Sequence, residues 1–370
     1  MDFSLNEFQR EIADLSNKVL ADYCNQDRLR DAESKDYFDP ELWQQMAEAG
    51  MLGLALPEAV GGMGQDFETL MILLEQLGRH VAPLPGVAVL ATASQSLLPY
   101  LDVAGVQEAL STLSSGKGLL SCALAETGLQ GGNKVETRAE GSGSQVVLHG
   151  GKSRVPGGMQ ASHCWTLARH GDALGIYIFA CAQEGVQRRP QQTTSGEALA
   201  QFTLAGARAE LVATGEAVNG ILTTARHAQR AASAAYATGL CEGMITLASA
   251  HCSERKQFGK PLGSFQAVAH QLADCYIDKE CLRAASEAAA CQLRDGGDAS
   301  EACLVAAYWA TEALHRISHR CQQVHGGTGV DRDYPLYRYS LQARQVEMDL
   351  GGQSRILAEL GKDIAGQKVA

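Results

Sequence analysis

The chain has 370 residues and a mass of 39.3 kDa, more than one hydrophobic core usually serves, so two or three domains are expected. Apolar residues make up 45% and charged residues 20%, which argues against long disorder. Acidic side chains outnumber basic ones 42 to 31 for a formal charge of −11, and no Lys/Arg cluster occurs, which excludes a nucleic-acid binder.

The chain opens on MDFSLNEFQREIADL, with acids early and none of the basic, apolar, small-residue order of an export signal, so a cytoplasmic location is expected. Ser4 followed by Glu7 predicts a capping box, and Phe8, Ile12, Leu15 and Val19 repeat behind it at helical spacing, the pattern of an ordinary core face. Asp39-Pro40 predicts a second start, with Leu42 and Met46 as its apolar stripe and Gly50 as its stop. The turn-rich LPEAVGGMG (Leu56–Gly64) precedes an apolar helix through Leu73, Leu74 and Leu77. From about Leu119 the texture changes to short runs such as LLSCALAE, SQVVLHG and ALGIYIFAC between Gly, Ser, Asn and Asp, which predicts an antiparallel β domain. After Asn219-Gly220 long Ala-rich segments return, near 220–254, 264–294, 299–323 and 335–364, with breaks at Gly259-Lys260-Pro261, Gly296-Gly297 and Gly326-Gly327. The expected fold is α+β, mostly α: an N-terminal helical domain (1–117), a middle antiparallel β domain (118–218) and a C-terminal four-helix bundle (219–370). No apolar run reaches the roughly eighteen residues of a membrane span. The eleven cysteines lie singly, mostly in apolar stretches, and are expected as free thiols; no zinc spacing is present and no metal is expected.

Three strings carry chemistry: LGLALPEAVGGMG (Leu52–Gly64), RKQFGKPLGSFQ (Arg255–Gln266) and QVHGGTG (Gln323–Gly329), the last followed by Asp333-Tyr334-Pro335. In physical terms, Arg255 offers a fork of donors suited to a diphosphate and Phe258 an aromatic surface suited to an adenine. Gln266 and Gln323 can each donate and accept, and Gly326 and Gly327 permit close backbone approach. The order and spacing of the strings resemble the acyl-CoA dehydrogenase family over essentially the whole chain. That resemblance implies an acyl-CoA substrate, α,β-dehydrogenation with FAD as hydride acceptor, and assembly as a dimer of dimers. It also implies that Arg255, Phe258, Gln266, Gln323, Gly326 and Gly327 reach the adenine and diphosphate end of FAD in a neighbouring subunit. The alternative for these residues is that they only shape bends between helices.

The departures from the family pattern are equally specific. The usual catalytic Glu falls 27 residues beyond the Gln of the last string, which here is Leu350; Gly351 matches and Gly352 replaces the family Thr. A minority branch places the Glu just before an Arg that lies 25 residues upstream of the RxxFG arginine; Arg230 keeps that Arg, but Gln229 precedes it. In the β domain, Arg154, Val155 and Pro156 stand where the family has Trp, Ile and Thr, and proline has no N–H to give a flavin. Only Ala125-Glu126-Thr127 and a degraded GLQGG represent another flavin-side motif. Groups expected to serve a neighbour's FAD are kept while the chain's own base and flavin seat are not. This resembles the subunit lacking the catalytic glutamate in heteromeric α2β2 dehydrogenases of steroid-side-chain CoA thioesters, with a homologous base-bearing subunit as partner.

Three alternatives compete with this reading: a self-sufficient homotetramer with a displaced base, a flavin-free acyl-CoA-binding or scaffold homologue, and a flavin monooxygenase on the same fold. Glu347 and Asp349 are the nearest candidates for a displaced base, although one residue on a helix turns a side chain by about 100°. Glu242 is a more remote candidate, and Glu126 reads as a polar residue of the β domain. Arg230 is a candidate for contact with CoA, with a buried ion pair as the alternative. His315 and His319 share a helix face, but no third ligand follows.

Overall fold

The computed structural model describes residues 4–126 and 135–367. Thr127 and the GLQGG run lie outside the described residues. The chain folds as two compact units, one of Met1–Leu29, Phe67–Ala82 and Arg230–Ala370, the other of Arg30–Asp66 and Pro83–Gln229. In chain order the helices are α1 (Glu7–Tyr23), α2 (Gln26–Glu33), α3 (Pro40–Glu48), α4 (Phe67–Arg79), α5 (Ala104–Ser114), α6 (Glu216–Glu254), α7 (Gln266–Arg294), α8 (Ser300–His325), α9 (Leu336–Asp349) and α10 (Gln353–Gln367). Among the described residues no helix is long and apolar enough to cross a membrane.

Helix starts follow their caps. Asp39 accepts from the N–H groups of Glu41 and Leu42, each at 3.0 Å, and Pro40 occupies the first position, as expected. The start of α1 differs from the expected Ser4–Glu7 box. Asn6 caps it, accepting from Gln9 N–H at 2.8 Å while Gln9 Oε1 accepts from Asn6 N–H at 3.0 Å. That start turns Gln9, Ile12, Ser16 and Leu20 inward and leaves Leu15 43% exposed, so the buried face includes two polar residues the apolar spacing omitted.

In the helical unit α4 crosses α6 at backbone contact. A Cβ on Gly78 would stand 2.0 Å from the Tyr236 carbonyl oxygen, and one on Gly239 would stand 1.9 Å from that of Glu75. Two glycines on facing helices therefore set the separation, and Leu73, Leu74 and Leu77 close over the crossing, each at most 1% exposed. The expected single helix over 335–364 is two. Gly351 and Gly352 have φ of 86° and 78°, a conformation that ends a right-handed helix, and they separate α9 from α10.

The other unit is built on β1 (Leu119–Ala123), β2 (Arg138–Ser142), β3 (Gln145–Pro156), β4 (Ala161–His170), β5 (Ala173–Ala180), β6 (Val186–Gln191) and β7 (Leu199–Thr214). The sheet runs β1-β4-β2-β3-β7-β5, with β6 on β7, and a β4–β5 pairing closes the path on itself. Most pairs are antiparallel as expected, but β1 runs parallel to β4 from Leu119↔Ala161 to Ala123↔Thr166. The core alternates along the strands through Val146, Leu148, Phe202 and Leu204, period-two burial of one face. Within it Lys152, fully buried, donates to Glu126 Oε1 at 2.6 Å and to the Leu167 carbonyl at 2.8 Å. Glu126 also accepts from Glu136 N–H and from both the N–H and hydroxyl of Thr137. Burial alone would raise the Glu126 carboxyl, but these donors outweigh it and hold the group below the usual carboxylate range; at Lys152 burial wins and lowers the ammonium. Glu126 is thus a structural anion.

Two outcomes follow from these contacts. On a free helix Gly→Ala stabilises by about 1 kcal/mol; for Gly239→Ala the clash with backbone reverses the sign, and urea midpoints should show a net loss of about 1–3 kcal/mol. A gain would mean that α4 and α6 do not touch there. Lys152→Met leaves the Glu126 carboxylate without its cation and should cost about 3–5 kcal/mol at neutral pH. The Glu126 contribution is present above pH 4.5 and disappears as pH falls through its lowered folded value, so the deficit should shrink in acid.

Candidate functional site

One end of the helical unit brings the last two sequence strings together. Helix α6 ends at Glu254 and leads into a small hairpin of β8 (Lys256–Gln257) and β9 (Lys260–Pro261), which is tied back by Leu262 N–H donating to the Arg255 carbonyl at 2.8 Å. Phe258 and Gly259 form its two-residue turn with φ of 53° and 75°, the both-positive arrangement of a tight hairpin turn. For Gly that conformation is free; for Phe it costs about 1–2 kcal/mol. The strained Phe258 nonetheless presents its ring 93% exposed, with an edge contact to Phe265 at 6.3 Å. Arg255 and Gln266 are also exposed.

Helix α8 ends beside this hairpin. Gln323 is exposed on its last turn and Gly326 leaves the helix with φ 60° and ψ −137°. The corner is held by a residue the sequence reading did not single out. His325 lies buried with Nδ1 2.6 Å from the Cys321 carbonyl and Nε2 3.0 Å from the Tyr334 hydroxyl, and its ring stacks on His251 of α6 at 4.4 Å. Burial lowers the proton affinity of both imidazoles; Arg255 adds to the fall at His251 with Glu254 opposing it, and His251 adds to the fall at His325. The signal was present as the His of QVHGGTG and the Tyr of DYP, nine residues apart. Gly326 needs its positive φ, but Gly327 does not have one, and a Cβ on either would meet nothing within 4 Å. No described residue requires Gly327 to lack a side chain.

The two positions at which the resemblance would place a base are Leu350 and Gln229, neither a carboxylate. Leu350 caps α9 and packs with Tyr308 and Leu360 against Leu304, Ala307 and Ile356. Gln229 is half-buried on α6. Arg230, next to it, pairs with Glu359 at 2.7 Å. Glu242 is held by Lys279 at 2.7 Å, and Asp349 is exposed and accepts from Gln345 at 3.0 Å. Glu347 is different. It faces a cavity of about 340 Å³ that Thr311, His315, Gly351 and Gly352 also line. Arg344 Nη1 donates to Glu347 Oε2 and to His315 Nδ1, each at 2.8 Å, while Glu347 Oε1 is buried with no hydrogen-bond partner. Burial pushes the Glu347 carboxyl up to about 7, with Glu312 adding to the rise and Arg344 opposing it. His315 and His319 contact each other at 4.7 Å between ring centres, and among the described residues no group of three or more His, Cys, Asp or Glu is placed to hold a metal. All eleven cysteines are free thiols.

In the sheet unit, Arg154 sits at a register shift of β3 with φ 52°, donating its N–H to Gln191 Oε1 at 2.6 Å. Val155 is fully buried, and the Pro156 carbonyl accepts from the Ser121 hydroxyl at 2.6 Å. This strand end offers no N–H at Pro156, so it lacks one donor for a flavin ring. The α6–α8 corner, in contrast, fits a nucleotide approached from outside: an exposed ring, an exposed guanidinium, two exposed amides and two bare glycines.

Helices before and after a central sheet, with this corner at one end, define a fold class with known counterparts. Residues 6–113 match the acyl-CoA dehydrogenase N-terminal domain and residues 220–363 its C-terminal domain, and the chain belongs to the acyl-CoA dehydrogenase family, whose members are FAD-dependent oxidoreductases. It is 30% identical over 376 residues to acyl-CoA dehydrogenase FadE27 of Mycobacterium tuberculosis, covering 99% of both chains. Among solved structures it is similar to a chain of a Tcur3481–Tcur3483 steroid ACAD variant, at 36% identity and a TM-score of 0.90 over 99% of this chain and 100% of that one. It is also similar to a chain of the ChsE4–ChsE5 complex from Mycobacterium tuberculosis, at 29% identity and a TM-score of 0.89 over 99% of each. Butyryl-CoA dehydrogenase from Megasphaera elsdenii shares the fold, with a TM-score of 0.92 at 20% identity.

The Glu347 environment sets a pH signature. Below pH 4.5 folded and unfolded chains both carry its proton; between there and about 7 only the folded chain does, so this group makes stability fall as pH rises through that window. Relative to wild type, Glu347→Gln should therefore gain stability between pH 4.5 and 7.5, by an amount on the order of 3 kcal/mol in denaturant titrations. A pH-independent difference would place the Glu347 carboxyl in water.

Proposed function

We propose that this chain is the subunit without a catalytic base in a heteromeric FAD-dependent acyl-CoA dehydrogenase. Its partner would be a homologous subunit that supplies the carboxylate, and its substrate class a CoA thioester bearing a steroid side chain. The observation that carries the reading is the division among motifs. Leu350 and Gln229 occupy both base positions, while Arg255, Phe258, Gln266, Gln323, Gly326 and Gly327 stand exposed at one corner with no role inside the chain for Phe258 or Gly327. The similarity to a steroid ACAD and to the ChsE4–ChsE5 complex supports both the partner and the substrate class. FAD, when bound, supplies the hydride acceptor for α,β-dehydrogenation.

In this reading the chain's own residues bind and position. Arg255 would pair with a diphosphate, Phe258 would cover an adenine, and Gln266 and Gln323 would fix polar edges while Gly326 and Gly327 admit close approach. Arg230, already paired with Glu359, would orient its side of the substrate site rather than move a proton. Assembly as a dimer of dimers is part of the proposal. A second reading, a self-sufficient enzyme, is favoured by one observation: Glu347 carries an unpartnered buried oxygen beside the turn that holds Leu350.

Purifying the chain alone and with a co-expressed base-bearing homologue separates the two. The heteromer predicts flavin absorbance and acyl-CoA-dependent dye reduction in the mixed complex only. Full flavin loading and turnover by the lone chain, lost in Glu347→Gln, would establish the second reading instead. Gly327→Leu should change the unfolding free energy of the lone chain by no more than about 0.5 kcal/mol, as for an exposed substitution, yet deplete flavin from the complex. Unchanged flavin content would remove the corner from the cofactor site.

A further inference from the structure

A second cavity, of about 320 Å³, lies within the helical unit among α1, α4, α6 and α7. Its volume falls in the small-molecule range. Leu5, Met71, Ile72 and Ala290 give it apolar walls, and Glu68, Glu75, Glu287, Arg283, Gln76 and Thr238 its polar ones.

The polar groups do not balance among themselves. Arg283 uses both terminal nitrogens on Glu75, at 3.0 and 2.8 Å. Arg294 grips both oxygens of Glu68, at 3.0 and 2.9 Å, and the Cys291 thiol donates to the same carboxylate at 3.1 Å. Both guanidinium groups are thereby committed to other carboxylates, and Glu287 has no ion-pair partner among the described residues. Gln76 is 8% exposed, and its Oε1 is buried with no donor in reach. Leaving such an acceptor unmade costs roughly 1–3 kcal/mol in a folded protein. Thr238 commits its hydroxyl proton to the Ala234 carbonyl at 2.9 Å and keeps only acceptor capacity. What the cavity presents in excess is therefore acceptors and one negative charge.

We propose that this cavity binds a small amphiphilic ammonium, its N–H groups meeting Glu287, Gln76 Oε1 and Thr238 Oγ1 and its apolar body filling the space between Leu5, Met71, Ile72 and Ala290. A primary ammonium carries three donors and no acceptor, the complement of this lining. An anion would face three carboxylates against one guanidinium. Burial and the nearby Glu75, Glu280 and Glu68 carboxylates raise the Glu287 proton affinity, with Arg283 opposing them, as befits an anion lacking its counterion. The inference does not depend on whether the chain lacks a catalytic base, because none of the residues at Leu350, Gln229 or the α6–α8 corner lines this cavity.

Isothermal titration of the purified full chain with hexylammonium chloride, and separately with sodium heptanoate and hexanol, tests it. Hexylammonium should bind with one site and a Kd of about 1 mM, the scale for a ligand of this size, and raise the thermal midpoint. Heptanoate should not bind, and hexanol should bind at least roughly 10-fold more weakly, since a charged hydrogen bond is lost. Glu287→Gln, at a half-exposed position, should keep the fold by circular dichroism and weaken hexylammonium roughly 10-fold. Gln76→Leu should weaken it further without lowering the thermal midpoint. No heat or midpoint shift with hexylammonium, equal binding of heptanoate, or an affinity unchanged in a folded Glu287→Gln would each overturn the proposal.

Discussion

The close approach of α4 to α6 is the constraint on which the helical unit rests. Helix α6 has 39 residues and, at about 1.5 Å per residue, is the longest element of the chain. Its Ala-rich sequence gives it little side-chain bulk with which to hold neighbours by interdigitation, so neighbours come to its backbone instead. Gly78 meets it at Tyr236, Gly239 receives Glu75, and Gly243 receives the ring of Tyr339, whose Cε1 would lie 2.3 Å from a Cβ there. Tyr339 in turn donates its hydroxyl to the Arg79 carbonyl at the end of α4, at 2.7 Å. Fixing α6 in this way fixes what it carries: Arg230 and Glu242 on either side of its midpoint, and His251 and the Phe258 hairpin at its C-terminal end.

Several carboxylates drawn out of water in the two units share one condition. Glu126, Glu75, Glu68, Glu242 and Asp278 lie partly or fully buried, and each is met by a cation within 3.3 Å. That is the ordinary condition for a carboxylate removed from water. Glu347 and Glu287 depart from it. Glu347 has one oxygen served by Arg344 and the other unserved; Glu287 has no ion-pair partner among the described residues, and the proton affinity of both is raised. Each also borders a cavity. Perturbed carboxylates beside open volume are where a protein keeps binding capacity in reserve, and here they sit in different cavities lined by different helices.

Much of this was legible in the sequence where a residue type has a single physical use. Asp39-Pro40 started a helix, Gly50 stopped one, and the Gly259 and Gly326 breaks fell where they were read. The failures were of a different kind. Ser4 and Asn6 are both good caps, and only the reciprocal bond from Gln9 decides between them. Gly351-Gly352 resembles part of a family motif, and the same two adjacent glycines, at positive φ, end α9. The parallel β1–β4 pair is long-range topology that no local alternation specifies. The cavity lined by Glu287 and Gln76 is not legible in the sequence because its lining comes from four helices, and no local spacing specifies which helix faces meet.

The same distinction sharpens the site. Gly326 and Gly327 are adjacent and identical in sequence, but the structure gives them different reasons. Gly326 answers to the backbone of its own chain, since its φ of 60° excludes most side chains. Gly327 answers to nothing within 4 Å. Phe258 repeats the contrast: its backbone is strained and its ring is in water, the reverse of what its own core would select. When a residue's character has no internal cause, the cause lies with what covers it. His325 supplies the rigid mount for such a surface, because its ring is fixed on both nitrogens and on one face before anything arrives. On the proposed function, a corner held that firmly from within and left bare on its outer side would receive a ligand that the chain does not itself enclose.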